Sequence, residues 1–401
     1  MTLVLVVVRS DLSLSTKGSY VVQLIKSSSN STSFYVFGSQ KGQFREKLSF
    51  NQIELATSIS GILSYYFLRF LKSPEDWRDG ALRRLLHRKS KHGLIIEGFL
   101  STLSETLNQY FARSGRTARL MPFLRKSKSR KAFLIDEFTS LNLVDLKQLK
   151  KMGPIIYVSQ DFACNHYNFA AHFFAKRLMY KLERDAVIQA DVVIACSEME
   201  RLRYVEMGAK KAVFYPNIYP IAEFEPYEKS QSPTIGIVLP KYWRQKGERS
   251  LREVFKALSC VNKQIRVYMI GLKPQEVPRN VDLHYCERIT ERLDYLNLLS
   301  KSWIGINIGI HKGGANQKKY DYALAGLFVL SDTLGARGDL LPRENTYIDS
   351  YDLAAKLRQL LEFGKEQIEA MGSENRKTVL SLAEKQRLEL LKAIKGVISS
   401  H

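Results

Sequence analysis

The sequence predicts an α/β protein built from two parallel-sheet domains. Short apolar runs alternate with helical patterns along both halves of the chain, as parallel strands covered on both faces require. With 401 residues, 45% of them apolar, the chain is long enough for two domains with cores of their own. Four of its eleven prolines, Pro216, Pro220, Pro226 and Pro233, crowd one short stretch where a helix does not continue and a hinge fits.

Taken in order, the first half has apolar runs suited to strands over 3–8, 33–37, 94–96, 132–135, 155–158, 192–196 and 212–215. Helical patterns fall between them near 18–26, 52–71, 102–113, 144–151, 169–189 and 197–207. The second half repeats the scheme, with strands over 234–238, 265–270, 281–285, 304–308 and 327–330 and helices near 251–258, 291–301, 317–324, 353–363 and 374–397. The expected domains are 1–218 and 219–401, the last helix packing back on the first domain. The apolar opening has no basic residue ahead of it and stops at Arg9, so it reads as a buried first strand rather than a leader peptide. No run of 18 apolar residues is present, so no membrane span is expected. Cys164, Cys196, Cys260 and Cys286 are scattered without a C-x-x-C pair, which suggests neither a disulfide framework nor a zinc site.

The net charge of +21 is uneven. Residues 1–220 hold 33 Lys and Arg against 18 Asp and Glu, and 69–131 alone hold 16 against 5. Such a patch attracts a polyanion, either anionic lipid or nucleic acid, unless it is simply a solvated lysine-rich face. Basic residues there are mixed with Tyr65, Tyr66, Phe67, Phe70 and Trp77, which fits membrane contact within 61–131. No helix-turn-helix, zinc finger or RNP-like aromatic motif speaks for nucleic acid.

The most informative stretch is 311–335, HKGGANQKKYDYALAGLFVLSDTLG. A glycine pair, Gly313-Gly314, leads into a short helix that stops at Gly326, followed by an apolar strand. A glycine turn entering a helix aims backbone N–H groups and the positive helix end at one point, which suits a phosphate. Lys318 and Asp321 lie three apart on that helix and share a face, with Asp321 expected to face the cleft. After the strand at 234–238, Lys241 and Lys246 flank a turn before Gly247, where two ammonium groups can neutralise a diphosphate. A solvent-facing lysine pair is the alternative.

The order Lys241-x4-Lys246-Gly247, about seventy residues, a glycine turn, Lys318-x-x-Asp321-Tyr322-x-x-x-Gly326 and an apolar strand ending Ser331-Asp332 resembles the retaining GT-B nucleotide-sugar glycosyltransferases called glycosyl transferases group 1. Ala190–Ser197, Met207-Gly208-Ala209 and Tyr215-Pro216-Asn217 resemble that family too. The resemblance implies two Rossmann-like doubly wound domains facing across a cleft, and metal-independent hexosyl transfer from a nucleotide sugar to an acceptor hydroxyl, without a cofactor. It implies donor-diphosphate contacts at Lys241, Lys246, Gly313, Gly314 and Lys318 and a ribose contact at Asp321. Lys241 stands where the family usually has Arg, Asp321 where it has Glu, and Gly313 where it has a second Glu.

In the first domain the family's His-Asp becomes Gln160-Asp161, the candidate catalytic pair; Gln160 can hydrogen-bond a sugar hydroxyl but does not exchange protons near neutral pH. Glu97, Glu137, His166 and His311 fall near these sites and read equally well as loop residues. The partners expected are a nucleotide-sugar donor, an acceptor glycan or lipid-linked sugar and an anionic membrane surface, which places the chain in the cytoplasm, peripheral on the inner face of the membrane. The alternatives are a sugar-nucleotide epimerase of the same fold, a nucleic-acid-binding protein and a catalytically inactive family member.

Overall fold

The computed structural model describes residues 3–9, 21–22, 25, 32–38, 51–54, 121, 124–125, 129–136, 140–141, 144–159, 162, 173–216, 218–219, 224–239, 244–309, 316–336 and 341–400. They form two compact units, residues 1–215 with 389–401 and residues 216–388.

The first unit holds a seven-stranded sheet of β1 (Leu3–Arg9), β2 (Thr32–Gly38), β3 (Asn51–Glu54), β4 (Arg130–Asp136), β5 (Ile155–Val158), β6 (Val192–Ala195) and β7 (Ala212–Phe214). Their order is β3-β2-β1-β4-β5-β6-β7, and every neighbouring pair is parallel. Strand residues alternate between two cores, as the two-residue period demands. Phe133, Ile135, Ile155, Tyr157, Val193 and Ala195 pack on α1 (Leu146–Lys150), α2 (Phe173–Gln189) and α3 (Glu198–Glu206). Ala132, Leu134, Ile156, Val158, Val192 and Ile194 face the other way, against Val21, Val22 and Ile25 and against Leu390, Ala393 and Ile394 of the last helix. Both faces are therefore apolar, and the strands read as continuous apolar runs.

The second unit repeats the plan. β8 (Thr234–Leu239), β9 (Ile265–Gly271), β10 (Val281–Cys286), β11 (Ile304–Asn307), β12 (Phe328–Asp332) and β13 (Thr346–Tyr347) form a six-stranded parallel sheet ordered β10-β9-β8-β11-β12-β13. One face, with Ile235, Ile237, Ile304, Ile306 and Phe328, packs on α4 (Arg244–Ser259) and the start of α7 (Ser350–Ser399). The other meets α5 (Arg292–Ser300) and α6 (Gln317–Leu324) through Leu296, Leu299, Tyr320, Tyr322 and Leu324.

Sequence and structure differ at two strands. The helix expected over 52–71 begins instead as β3, paired with β2 from Tyr35 to Gly38. The last two expected helices are both present within α7, separated by a kink at Gly364, whose φ of 79° suits glycine and breaks the helical path. The short β13 extends the second sheet through Ser331 and Asp332, a pairing too brief to leave a periodic signal. The strand expected over 94–96, the helix over 102–113 and nearly all of the basic stretch 61–131 lie outside the described residues. Among the described residues no helix is long and apolar enough to cross a membrane, and no cluster of His, Cys, Asp or Glu is placed to hold a metal ion.

Candidate functional site

In the second sheet the strand order reverses between β8 and β11, and doubly wound sheets bind ligands beyond the carboxyl ends of the strands at such a switch point. The β8–β11 ladder runs from Ile304–Ile235 to Ile306–Ile237. Just beyond it the Tyr322 hydroxyl accepts from the Val238 N–H at 2.7 Å and donates to the Ile306 carbonyl at 3.3 Å. The phenol thus stands between the two strands where their pairing ends. Its ring crosses the sheet over Gly305, where a Cβ would come within 2.5 Å of the ring. Burial pushes the Tyr322 hydroxyl above its ordinary pKa, so it stays a neutral bridge.

Helix α6 delivers this tyrosine together with Lys318 and Asp321. Its start is set by Asn316, whose side chain does not cap the helix but donates to the Ile308 carbonyl at 3.2 Å. Lys318 Nζ reaches the same carbonyl at 3.4 Å. Across the sheet, both Asp332 oxygens accept from the Gly309 N–H at 3.0 Å, and Oδ1 also takes the Gly335 N–H at 2.5 Å. Residues 308–309, just beyond β11, are therefore held by contacts from β12, Asn316 and α6. Burial pulls the Lys318 amine down to about 8, against the raising pull of Asp332 and Asp321.

The other end of α6 stops at Gly326, whose φ of 73° is the left-handed conformation that closes a helix. Three basic or amide side chains hold that end. Lys229 Nζ donates to the Ala325 carbonyl at 3.4 Å, Arg376 Nε to Leu324 at 3.2 Å and Asn375 to Leu327 at 3.2 Å. Lys229 is only 6% exposed, and burial lowers its pKa to about 7, opposed by Glu369.

A base whose pKa falls on folding destabilises the fold wherever it is charged. Below pH 7 the full cost is present, and between about pH 7 and 10.5 the unfolded chain binds more protons, so stability rises with pH. Urea denaturation of the wild type at pH 7 and 9 will show a gain of roughly 2–3 kcal/mol. Lys229→Met will lose most of that slope; an unchanged slope in the variant would remove Lys229 as its source.

Asp321 is 4% exposed and meets partners from another helix, with Arg292 Nη2 2.5 Å from Oδ1 and the Tyr295 hydroxyl 3.2 Å from Oδ2. Both partners come from one turn of α5. Although burial opposes its charge, Arg292 is held above its ordinary pKa by the Asp321 carboxylate, and burial together with Asp321 pushes the Tyr295 hydroxyl well up. Arg292 and Tyr295 carry no role in the sequence reading, and Tyr322 and Asp332 enter it only as members of the family pattern. The signals available were the three-residue spacing of Arg292 and Tyr295 and the direct adjacency of Tyr322 to Asp321.

Lys246 lies in the first turn of α4, next to Gly247, whose position is tight against Leu239 and Leu272. Its side chain falls outside the described residues, as do Lys241, Gly313, Gly314, Gln160, Asp161, Glu97, Glu137, His166 and His311. The residues on either side of the Gln160-Asp161 pair are described. Ser159 Oγ is 2.6 Å from the Tyr204 hydroxyl, and the Phe162 N–H donates to Glu200 Oε1 at 3.1 Å. Tyr204 and Tyr157 also donate to the buried Glu183 carboxylate, at 2.9 and 3.1 Å. Glu200 sits in the first turn of α3, where its N–H is taken by the Ser197 cap, so the helix start and the carboxyl end of β5 are joined through one side chain.

No protein-family model matches the sequence, and no curated protein does. Solved structures match along the whole chain. Sucrose-phosphate synthase from Thermosynechococcus elongatus superposes with a TM-score of 0.58 at 13% identity, covering 100% of both chains. An α,α-trehalose-phosphate synthase (UDP-forming) from Burkholderia vietnamiensis gives 0.60 at 11% identity, and Anabaena HepE, in complex with UDP and glucose, gives 0.60 at 11%, each with 100% of both chains covered. The fold is GT-B. At such identities the fold is what the chains share. Within this GT-B chain, Lys318 and Asp321 lie on one helix at the switch point of the second sheet.

Proposed function

We propose that the chain is a glycosyltransferase that moves a hexose from a nucleoside-diphosphate sugar to an acceptor hydroxyl. The observation that carries this reading is the switch point of the second sheet, where the helix bearing Lys318 and Asp321 starts and Asn316, Lys318 and Asp332 hold residues 308–309 beyond β11. A helix start behind a glycine turn suits a diphosphate, and a cation beside it offsets the charge that grows as the diphosphate leaves. The Anabaena neighbour's complex with UDP and glucose supports the same choice of ligand.

In this reading Lys241, Lys246, Gly313, Gly314 and Lys318 take the diphosphate and Asp321 the ribose hydroxyls. The bond from the anomeric carbon to the diphosphate oxygen breaks with its electrons going to the diphosphate. The acceptor oxygen forms the new bond and gives up its proton on the side where Gln160 and Asp161 are assigned. Transfer with retention follows the family resemblance. A lipid-linked acceptor suits the basic stretch 61–131.

Thermal shift with a panel of nucleotide sugars tests the reading. A donor at about a hundred times its dissociation constant contributes about 2.7 kcal/mol, which raises the melting temperature by roughly 5 °C. One or two donors will give such a shift; a flat response to UDP-, GDP-, ADP- and CMP-sugars would sink the proposal.

A further inference from the structure

We infer that Arg292 and Tyr295 are positioning residues that fix the Asp321 carboxylate for a nucleotide ribose, an inference that rests on the ribose role proposed for Asp321. An aspartate is one methylene shorter than the glutamate usual at this place in the resembling family, so it reaches less far from its helix. In this chain the shorter carboxylate is met from the neighbouring helix. Arg292 takes Oδ1 at 2.5 Å and Tyr295 takes Oδ2 at 3.2 Å, so each oxygen has one donor and one lone pair left. Those remaining lone pairs are what vicinal hydroxyls need. The two donors lie three residues apart on α5, and the Arg292 guanidinium lies 5.4 Å from the centre of the Tyr295 ring, so they form one unit.

The Arg292 side chain is 30% exposed and that of Asp321 only 5%. Arg292 Nε is buried with no hydrogen-bond partner, so Asp321 is the acceptor that aims the guanidinium. The charged and titratable groups around Asp321 are Arg292 and Tyr295 from α5 and Lys318 and Tyr322 from its own helix, with Tyr219 facing Arg292. Among the described residues, Arg292 is the cation that touches the carboxylate. Without Arg292 and Tyr295 nothing from α5 fixes the direction of its remaining lone pairs towards a ribose diol.

Calorimetric titration of the full chain with UDP, GDP and ADP at pH 7, alongside their 2′,3′-dideoxy forms, tests this. The wild type will bind one of the three and bind its dideoxy form at least tenfold more weakly. Arg292→Met will lose most of that difference, while Arg292→Lys will recover much of it. Tyr295→Phe, which removes only a hydroxyl, will lose a smaller part of it and serves if the methionine variant does not fold. A merely structural role would lower the melting temperature and leave the ratio between the two nucleotides at its wild-type value. A wild-type ratio kept by both Arg292→Met and Tyr295→Phe would overturn this inference alone. A wild type that binds none of the three nucleotides overturns the ribose reading and the inference with it.

Discussion

Asp321→Ala will lower the stability of the chain by about 3 kcal/mol, the low end of what breaking a buried ion pair costs. The sequence alone suggests a smaller effect on folding, because a ribose contact would face the cleft. The structure places the carboxylate under α5 with a guanidinium at 2.5 Å, and removing it strands Arg292 in surroundings where its Nε already has no partner. The variant also leaves the Tyr295 hydroxyl without its acceptor. Asp321→Asn keeps the shape and one acceptor oxygen, so it will retain most of the stability while losing nucleotide affinity. The pair separates folding from binding: urea midpoints give the first, and titration with the nucleotide diphosphate gives the second. An alanine variant within 1 kcal/mol of wild type would show that water replaces the carboxylate and that the ion pair contributes little.

Lys246→Ala will reduce donor turnover by about 10²–10³-fold, the loss typical when one charge-stabilising group is removed from a developing anion. The residue lies in the first turn of α4, directly after the strand whose carboxyl end flanks the switch point, and the buried Gly247 keeps that turn close to Leu239. In the proposed reading a cation there offsets the charge added to the diphosphate as it leaves, so the effect should fall on turnover more than on the Michaelis constant. Lys246→Arg keeps the charge and will restore much of the rate. The readout is nucleoside diphosphate released from the donor chosen by thermal shift. Turnover by the alanine variant within threefold of wild type would refute the assignment.

Much of the second unit was legible because its elements are bounded by residues with one physical meaning. The helix at 317–324 sits between the glycine segment and Gly326, and its bounds match those of α6. The apolar tetrad Ile155–Val158 is likewise a strand from end to end. Other elements hid their identity. Asn51–Glu54 has no alternation of its own and becomes a strand only because β2 offers it an edge. Thr346-Tyr347 is too short to show a period and becomes a strand only by pairing with Ser331 and Asp332.

The site divided in the same way. Lys318 and Asp321 announce themselves by spacing on one helix, whereas Arg292 reaches Asp321 across 29 positions, and no local periodicity records such a pairing. Asp332 was visible as the residue that ends a strand, but its grip on two glycine N–H groups is a property of the folded turn. Tyr322 bridges two strands that are 68 residues apart between Val238 and Ile306, and it needs Gly305 beneath its ring.

The chain leaves the first unit after Tyr215 and returns to it at Glu389, so in topological terms the second unit is an insertion within the first. The consequence is an asymmetry under dissection. Residues 216–388 are one continuous piece that carries its own six strands and both faces of their cover. Residues 1–215 are not, since Leu390, Ala393 and Ile394 complete the apolar layer over Leu134, Ile156 and Ile194. A fragment cut at the proline-rich joint would expose that layer and invite self-association, whereas one that bridges Tyr215 to Glu389 with a flexible linker would keep it covered.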